Sequence, residues 1–217
     1  MTLEVDLYWS FRSPYSYLAT PRLSELANTY DLDLRVRPVL PIAVRIDGFF
    51  DRMNPLFPPY LFRDTLRIAQ SLDLPYAWPR PDPIVQDFAT RKVAAEQPYI
   101  HRLTRLGVLA AERGRGLPFL DQVSRLIFGG TAGWNEGTRL AEAAARAGCE
   151  LEELDETIVR ESARLDGVIA ENQNALEKAG HWGVPTMVFR GEPFFGQDRI
   201  ELLVWRLRQH GLAERGS

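Results

Sequence analysis

Strand-forming chemistry stands at both ends of this 217-residue chain and is interrupted by a long helical middle, so the fold must bring two distant segments into one sheet. Residues 3–9 alternate and end in aromatics, which predicts a strand. Ser13-Pro14 follows, then an apolar pattern through Tyr17, Leu18, Leu23 and Leu26. A serine cap with proline at the first helical position predicts a helix start. Residues 32–39 alternate again. Strand, helix and strand in this order, with a helix long enough for a crossover, predict a βαβ unit with parallel strands.

The middle reads differently. Residues 41–59 are irregular, 60–72 predict a helix, and the proline-rich 75–83 is a loop. From about Val85 to Gly180 nearly everything has helical spacing: 92–113, kinked or split at Pro98, then 117–128, 138–147 and 158–179, with Gly148 and Gly180 as stops. Strand chemistry returns at 186–190 and 193–195, with a tight hairpin at Gly191-Glu192, and Asp198 starts a last helix through Leu202, Leu203, Trp205 and Leu207. Without the middle, βαβ and then ββα remain, which is the thioredoxin topology. The expected fold class is α/β: a thioredoxin-like domain of the DsbA type, residues 1–60 and 181–217, interrupted by an all-helical insertion domain, 61–180.

Composition limits the functions open to such a chain. The formal charge of −3 is not the basic footprint of a nucleic-acid binder. The single cysteine, Cys149, excludes an internal disulfide and a cysteine metal cluster, and is expected to be a small buried residue. The three histidines, His101, His181 and His210, have no metal spacing. No apolar run approaches the ~18 residues of a membrane span. Met1 to Glu4 lead straight into a strand with no secretory pattern, so a cytoplasmic location is expected.

Three motifs carry chemistry. Ser13-Pro14-Tyr15-Ser16 occupies the strand-to-helix junction, where free backbone N–H groups and the helix dipole suit a thiolate. A serine there cannot exchange disulfides; it either caps the helix or hydrogen-bonds a thiolate that a ligand brings in. Gly183-Val184-Pro185-Thr186 precedes the third strand. Pro185 is either an ordinary trans proline or, as its pairing with the first motif favours, a cis one that turns the Val184 backbone groups outward. Phe195-Gly196-Gln197-Asp198-Arg199 sits at the last junction, where Asp198 either caps the helix or, with Gln197, holds the ends of an amino acid.

These motifs together resemble a known family. Residues 7–18, LYWSFRSPYSYL, are similar to the N-terminal motif of 2-hydroxychromene-2-carboxylate isomerases and kappa-class glutathione transferases, and GVPT and FGQDRIELL resemble their C-terminal motifs. The resemblance covers nearly the whole chain. It implies glutathione as cofactor, with Ser13 as the catalytic group at the sulfur, Val184 and Pro185 at the cysteinyl part, and Gln197 and Asp198 at the γ-glutamyl end. It further implies a small aromatic substrate and a homodimer. The loop Gly48–Pro55 departs from the family pattern: Asn54 stands as the counterpart of a family asparagine, and no lysine is near, leaving Arg45 or Arg52 to supply the charge. The implied activity is cis/trans isomerisation by reversible thiolate addition to a conjugated enone. The alternatives are a kappa-type transferase or peroxidase, and a non-catalytic module that binds a peptide along Val184. Phe49, Phe50, Phe57 and Tyr60 either wall an aromatic pocket or seal an interface, and Trp134 either starts a helix or floors the pocket.

Overall fold

The computed structural model describes residues 2–87, 89–90 and 92–216. Strands β1 (Leu3–Trp9), β2 (Leu32–Pro38), β3 (Thr186–Phe189) and β4 (Glu192–Phe195) form one mixed sheet in the order β2-β1-β3-β4. β1 runs parallel to β2, from Leu3 opposite Leu32 to Trp9 opposite Pro38. It runs antiparallel to β3, with Tyr8 opposite Thr186. The two ends of the chain thus meet along β1, as the thioredoxin topology requires. Arg190 and Gly191, both at positive φ, make the two-residue turn from β3 to β4.

The helices are α1 (Pro14–Thr29), α2 (Ile42–Arg45), α3 (Phe57–Ser71), α4 (Ile100–Glu112), α5 (Gly116–Phe128), α6 (Arg139–Arg146), α7 (Leu151–Lys178) and α8 (Ile200–Arg208). α1 begins as expected: the Ser13 side chain accepts from the Ser16 N–H at 3.2 Å, and Pro14 is the first helical residue. The indole of buried Trp9 donates to Thr20 Oγ1 at 3.0 Å, and that hydroxyl donates to the Ser16 carbonyl at 2.7 Å. This relay fixes α1 on the end of β1 without leaving a buried donor unpaired.

Several expectations are corrected. Helix does not begin at Lys92: α4 starts at Ile100, and the described residues between 85 and 99 are irregular, with one bridge, Gln86 to Val93. Phe88 and Arg91, inside the expected helical stretch, lie outside the described residues. Pro98 blocks helical propagation, and the amide of Gln97 takes over, accepting from the Val85 N–H at 2.8 Å and donating to the Val85 and Ala94 carbonyls. The charged helical face 150–164 and the apolar helical pattern 158–179 form one helix, α7, whose helical geometry is broken at Glu161. The stretch 41–59 contains a helical turn, α2, and α3 begins at Phe57 with Pro58 in its first turn, where a missing N–H costs nothing. Asp198 does not start the last helix. It sits in a short 3-10 turn, Gln197–Arg199, and its side chain caps nothing.

Besides a smaller cluster of Tyr8, Val39, Leu176 and Val188, buried side chains from the sheet and the helices form a large one. At its centre Trp9 and Phe11 meet edge to face at 4.7 Å, and Phe11 meets Phe119 of α5 at 6.1 Å. α7 is tied to the end of β2 by Asn172, which donates to the Pro38 carbonyl at 3.0 Å. Gly107 of α4 lies so close to the Phe11 ring that a Cβ there would stand 2.8 Å from it. Gly107→Ala is therefore expected to destabilise the protein by about 1–3 kcal/mol through overpacking. Gly167→Ala, on the exposed side of α7 with nothing within 4 Å, is expected to stabilise it by about 0.5–1 kcal/mol through helix propensity. Urea unfolding midpoints of the two variants check the opposed signs.

Candidate functional site

Because β1 and β3 are antiparallel neighbours, the end of β1 and the start of β3 lie together at one end of the sheet. That places the start of α1 against the Val184-Pro185 turn, although 171 residues separate Ser13 from Val184. The Val184–Pro185 bond is cis. Ser13 Oγ donates to the Val184 carbonyl at 3.3 Å while accepting from Ser16 N–H. Among the described residues no hydrogen bond is made to the Val184 N–H.

A cavity of about 470 Å³ opens from this corner. Ser10, Ser13, Val184, Asn54 and Arg45 all line it. So do Phe49, Phe50 and Phe57, with Phe62 and Trp78, which decides in favour of a pocket wall for three of the four aromatics left open; Tyr60 is not on the lining. The structure does not bring every expected residue to the wall. Pro185 lies behind it, its carbonyl accepting from the Gly196 N–H at 2.9 Å. Gln197 and Asp198 follow Phe195, where the lining ends. The Gln197 carbonyl oxygens, backbone and side chain, are held by Arg22 of α1, and the Asp198 carboxylate pairs with Arg199 at 2.8 Å near solvent. Asn54 uses its side-chain oxygen to cap Leu56 N–H at 3.0 Å, leaving its NH₂ free to donate. Of the two arginines considered for the loop, Arg45 is on the wall and Arg52 is not. Arg45 donates to the Trp182 carbonyl at 2.7 Å and makes no salt bridge among the described residues, and its Nε is buried without a partner. Burial pushes its pKa down.

Several residues on or beside this cavity have contacts that the sequence does not signal; Arg12 and Tyr15 line it, while Asp82 and His181 stand behind lining residues. Arg12 forms a two-pronged pair with Asp82, Nε to Oδ1 at 3.2 Å and Nη2 to Oδ2 at 3.1 Å. Its guanidinium stands 5.0 Å from the Trp78 ring and 5.8 Å from that of Phe50. Asp82 also accepts from the Trp78 indole, the Ile84 N–H and the Gln86 amide. Arg12 is part of the first motif, but nothing along the chain pairs it with a carboxylate 70 positions away. Tyr15 donates to Asp64 Oδ2 at 2.8 Å; burial, and then that bond, raises its pKa, so it holds its proton at neutral pH. His181 stacks on Phe195 with centroids 3.9 Å apart, and its Nδ1 accepts from the Gly183 N–H at 2.9 Å. Burial lowers the pKa of this imidazole, which keeps the accepting nitrogen unprotonated. Trp134 is a structural residue: buried, off the cavity, donating to the Pro81 carbonyl at 2.7 Å.

The site is therefore an apolar, aromatic-walled chamber with hydrogen-bond donors gathered where α1 begins. It suits a ligand with an anionic atom at that end and a flat apolar body. Among the described residues no group of His, Cys, Asp or Glu is arranged to hold a metal ion. Cys149, the only cysteine, is buried away from the cavity. Asp82 keeps Arg12 from being an uncompensated charge in a site where both side chains are under 15% exposed. Asp82→Ala is expected to destabilise the protein by about 3 kcal/mol, because it strands a buried cation, whereas removing the solvated Glu192–Arg206 pair by Glu192→Ala is expected to cost less than about 1 kcal/mol. Chemical denaturation of both variants measures the difference.

Comparison with known proteins agrees with this architecture. The chain is 26% identical over 209 residues to a 2-hydroxychromene-2-carboxylate isomerase of Pseudomonas sp. (strain C18), covering 92% of this chain and 87% of that protein. It is 24% identical over 216 residues to glutathione S-transferase kappa 1 of Rattus norvegicus, covering 94% and 90%. A solved 2-hydroxychromene-2-carboxylate isomerase superposes with a TM-score of 0.71 at 22% identity, covering 96% of both chains. The DSBA-like thioredoxin domain model matches residues 4–208, and the chain belongs to that family.

Proposed function

We propose that the protein is a glutathione-dependent cis/trans isomerase of the 2-hydroxychromene-2-carboxylate isomerase type, acting on a conjugated aromatic enone. The observation that carries this reading is the Ser13 hydroxyl at the start of α1, in contact with the Val184 carbonyl, on a cavity that contains no cysteine. A disulfide-exchanging member of the fold needs a thiol at that position; here the thiol must come with a ligand. Curated relatives at 24–27% identity are two isomerases and a glutathione transferase.

The residues present fit glutathione. The free Val184 N–H and its carbonyl offer an extended peptide one donor and one acceptor. The Asn54 amide and the unpartnered Nε of Arg45 are donors suited to a carboxylate. Gln197, its carbonyl taken by Arg22, keeps its NH₂ for the γ-glutamyl end, with Asp198 beside it for an ammonium. Bound glutathione supplies a thiolate whose reversible addition to the enone lets the former double bond rotate. The chain's own work is electrostatic. The first turn of α1 and Ser13 favour the anionic sulfur over the thiol. Phe49, Phe50 and Trp78 exclude water and receive an aromatic ring, and Arg12, neutralised by Asp82, stacks there without repelling it. The cavity volume lies in the range of small-molecule sites, roughly 300–1,000 Å³, which favours a small substrate over a peptide along Val184. A kappa-type transferase would use the same groups at the sulfur; glutathione is consumed in that case and regenerated in the isomerase.

Calorimetric titration with glutathione and with its S-methyl derivative tests the reading. Tighter binding of the free thiol, with proton release near neutral pH, is expected, and Ser13→Ala is expected to raise the bound thiol's pKa and slow turnover. Absence of binding at millimolar glutathione would overturn the reading.

A further inference from the structure

Ser13 has divided obligations. Its oxygen accepts from the Ser16 N–H and its single proton is given to the Val184 carbonyl. To donate to a ligand it must give up that bond. Ser10, one turn earlier, has no such obligation. Its carbonyl accepts from the Ser13 N–H at 3.1 Å, which closes the turn leading into α1. Ser10 is 1% exposed, and its hydroxyl is buried and makes no hydrogen bond among the described residues. A buried hydroxyl left unpaired is destabilising, and such groups are rare in native proteins. Ser16 has an equally unpaired hydroxyl, but it is not on the cavity wall, whereas Ser10 is.

We infer that the Ser10 hydroxyl is a second hydrogen-bond donor to the ligand thiolate, working beside Ser13 at the start of α1. The inference rests on the glutathione reading above and extends it to a residue outside the three site motifs' expected roles. Ser10 is rigidly placed: Trp9 and Phe11 on either side of it are wholly buried and packed edge to face. Its proton is free to turn towards an anion without breaking any existing bond, so it contributes in full when the ligand arrives. The cavity wall has a second donor in the same condition, Arg45 Nε; Ser16 Oγ and Arg22 Nε are also unpaired among the described residues but stand off the wall.

The test is a pH titration of the ultraviolet absorbance of the bound thiolate in wild type, Ser10→Ala, Ser13→Ala and the double variant, with thermal melts of the ligand-free proteins alongside. Loss of one hydrogen bond to an ion is expected to raise the bound thiol's pKa by about one unit in Ser10→Ala, a tenfold loss of thiolate below the pKa, and further in the double variant. Affinity for the S-methyl derivative is expected to be unchanged. The ligand-free Ser10→Ala protein is expected to melt no lower than wild type, since it loses only an unpaired hydroxyl. An unchanged thiol pKa in Ser10→Ala, with wild type binding a thiolate normally, would overturn the role of Ser10 alone. A lower melting point of ligand-free Ser10→Ala would also overturn it, by showing that the hydroxyl serves the fold. If wild type binds no glutathione, the glutathione reading fails and the role of Ser10 fails with it.

Discussion

The antiparallel pairing of β1 with β3 underlies the whole site. Each of the two loops that form the corner where Ser13 meets Val184 follows or precedes one of these strands by only a few residues. Tyr8 opposite Thr186 fixes the distance between them, and the Ser13 hydroxyl then closes the gap to the Val184 carbonyl. Neither partner is placed by its own helix or strand alone. A slip of β3 by one residue would turn its side chains over to the other face of the sheet and carry the Val184 carbonyl out of Ser13's reach. The buried relay from Trp9 through Thr20 to the Ser16 carbonyl does the same service on the other side, holding the first turn of α1 against β1.

Local chemistry made this much readable before any coordinates. A capping serine, a proline at the first helical position and an alternating strand on each side are short-range signals, and they located β1, α1 and β2 closely. The cis proline followed from the company it kept, not from its own sequence. What stayed hidden is long-range or side-chain mediated. Residues 85–99 have helical spacing, yet Gln97 ties the backbone of Val85 and Ala94 into turns, a choice decided by three hydrogen bonds from one amide. The pairing of Arg12 with Asp82 depends on where a proline-rich loop returns to the sheet, and no periodicity encodes that return. Gln197 and Asp198 stand on a 3-10 turn that follows Phe195, the last lining residue in the chain, and no local pattern encodes that placement.

The charges around the cavity fall into two kinds. Arg12 is fully answered: two bonds to Asp82 and two aromatic faces leave it little attraction for a further anion, and it acts as a flat wall. Arg45 is the opposite, with one bond to a carbonyl, an unpartnered Nε and a pKa pushed down by burial. A partly buried guanidinium, with Glu177 near enough to raise its pKa but not in salt-bridge contact, favours any anion that replaces the lost water. The contrast sorts one cavity into an apolar region beside Arg12 and an anion-seeking one beside Arg45.

The same reasoning explains why so many donors here are idle. A fold selected for stability alone would pair the Ser10 hydroxyl or replace it with alanine, and would give Arg45 a carboxylate. Each unpaired group weakens the ligand-free protein by an amount comparable with a substantial part of its net stability. That deficit is recovered only when an anion enters, so the energy withheld from folding appears as binding. Where it appears matters. Donors aimed at the sulfur favour the thiolate over the thiol, and therefore lower its pKa as well as its dissociation constant. Donors aimed at a distant carboxylate tighten both forms equally and leave the chemistry of the sulfur untouched.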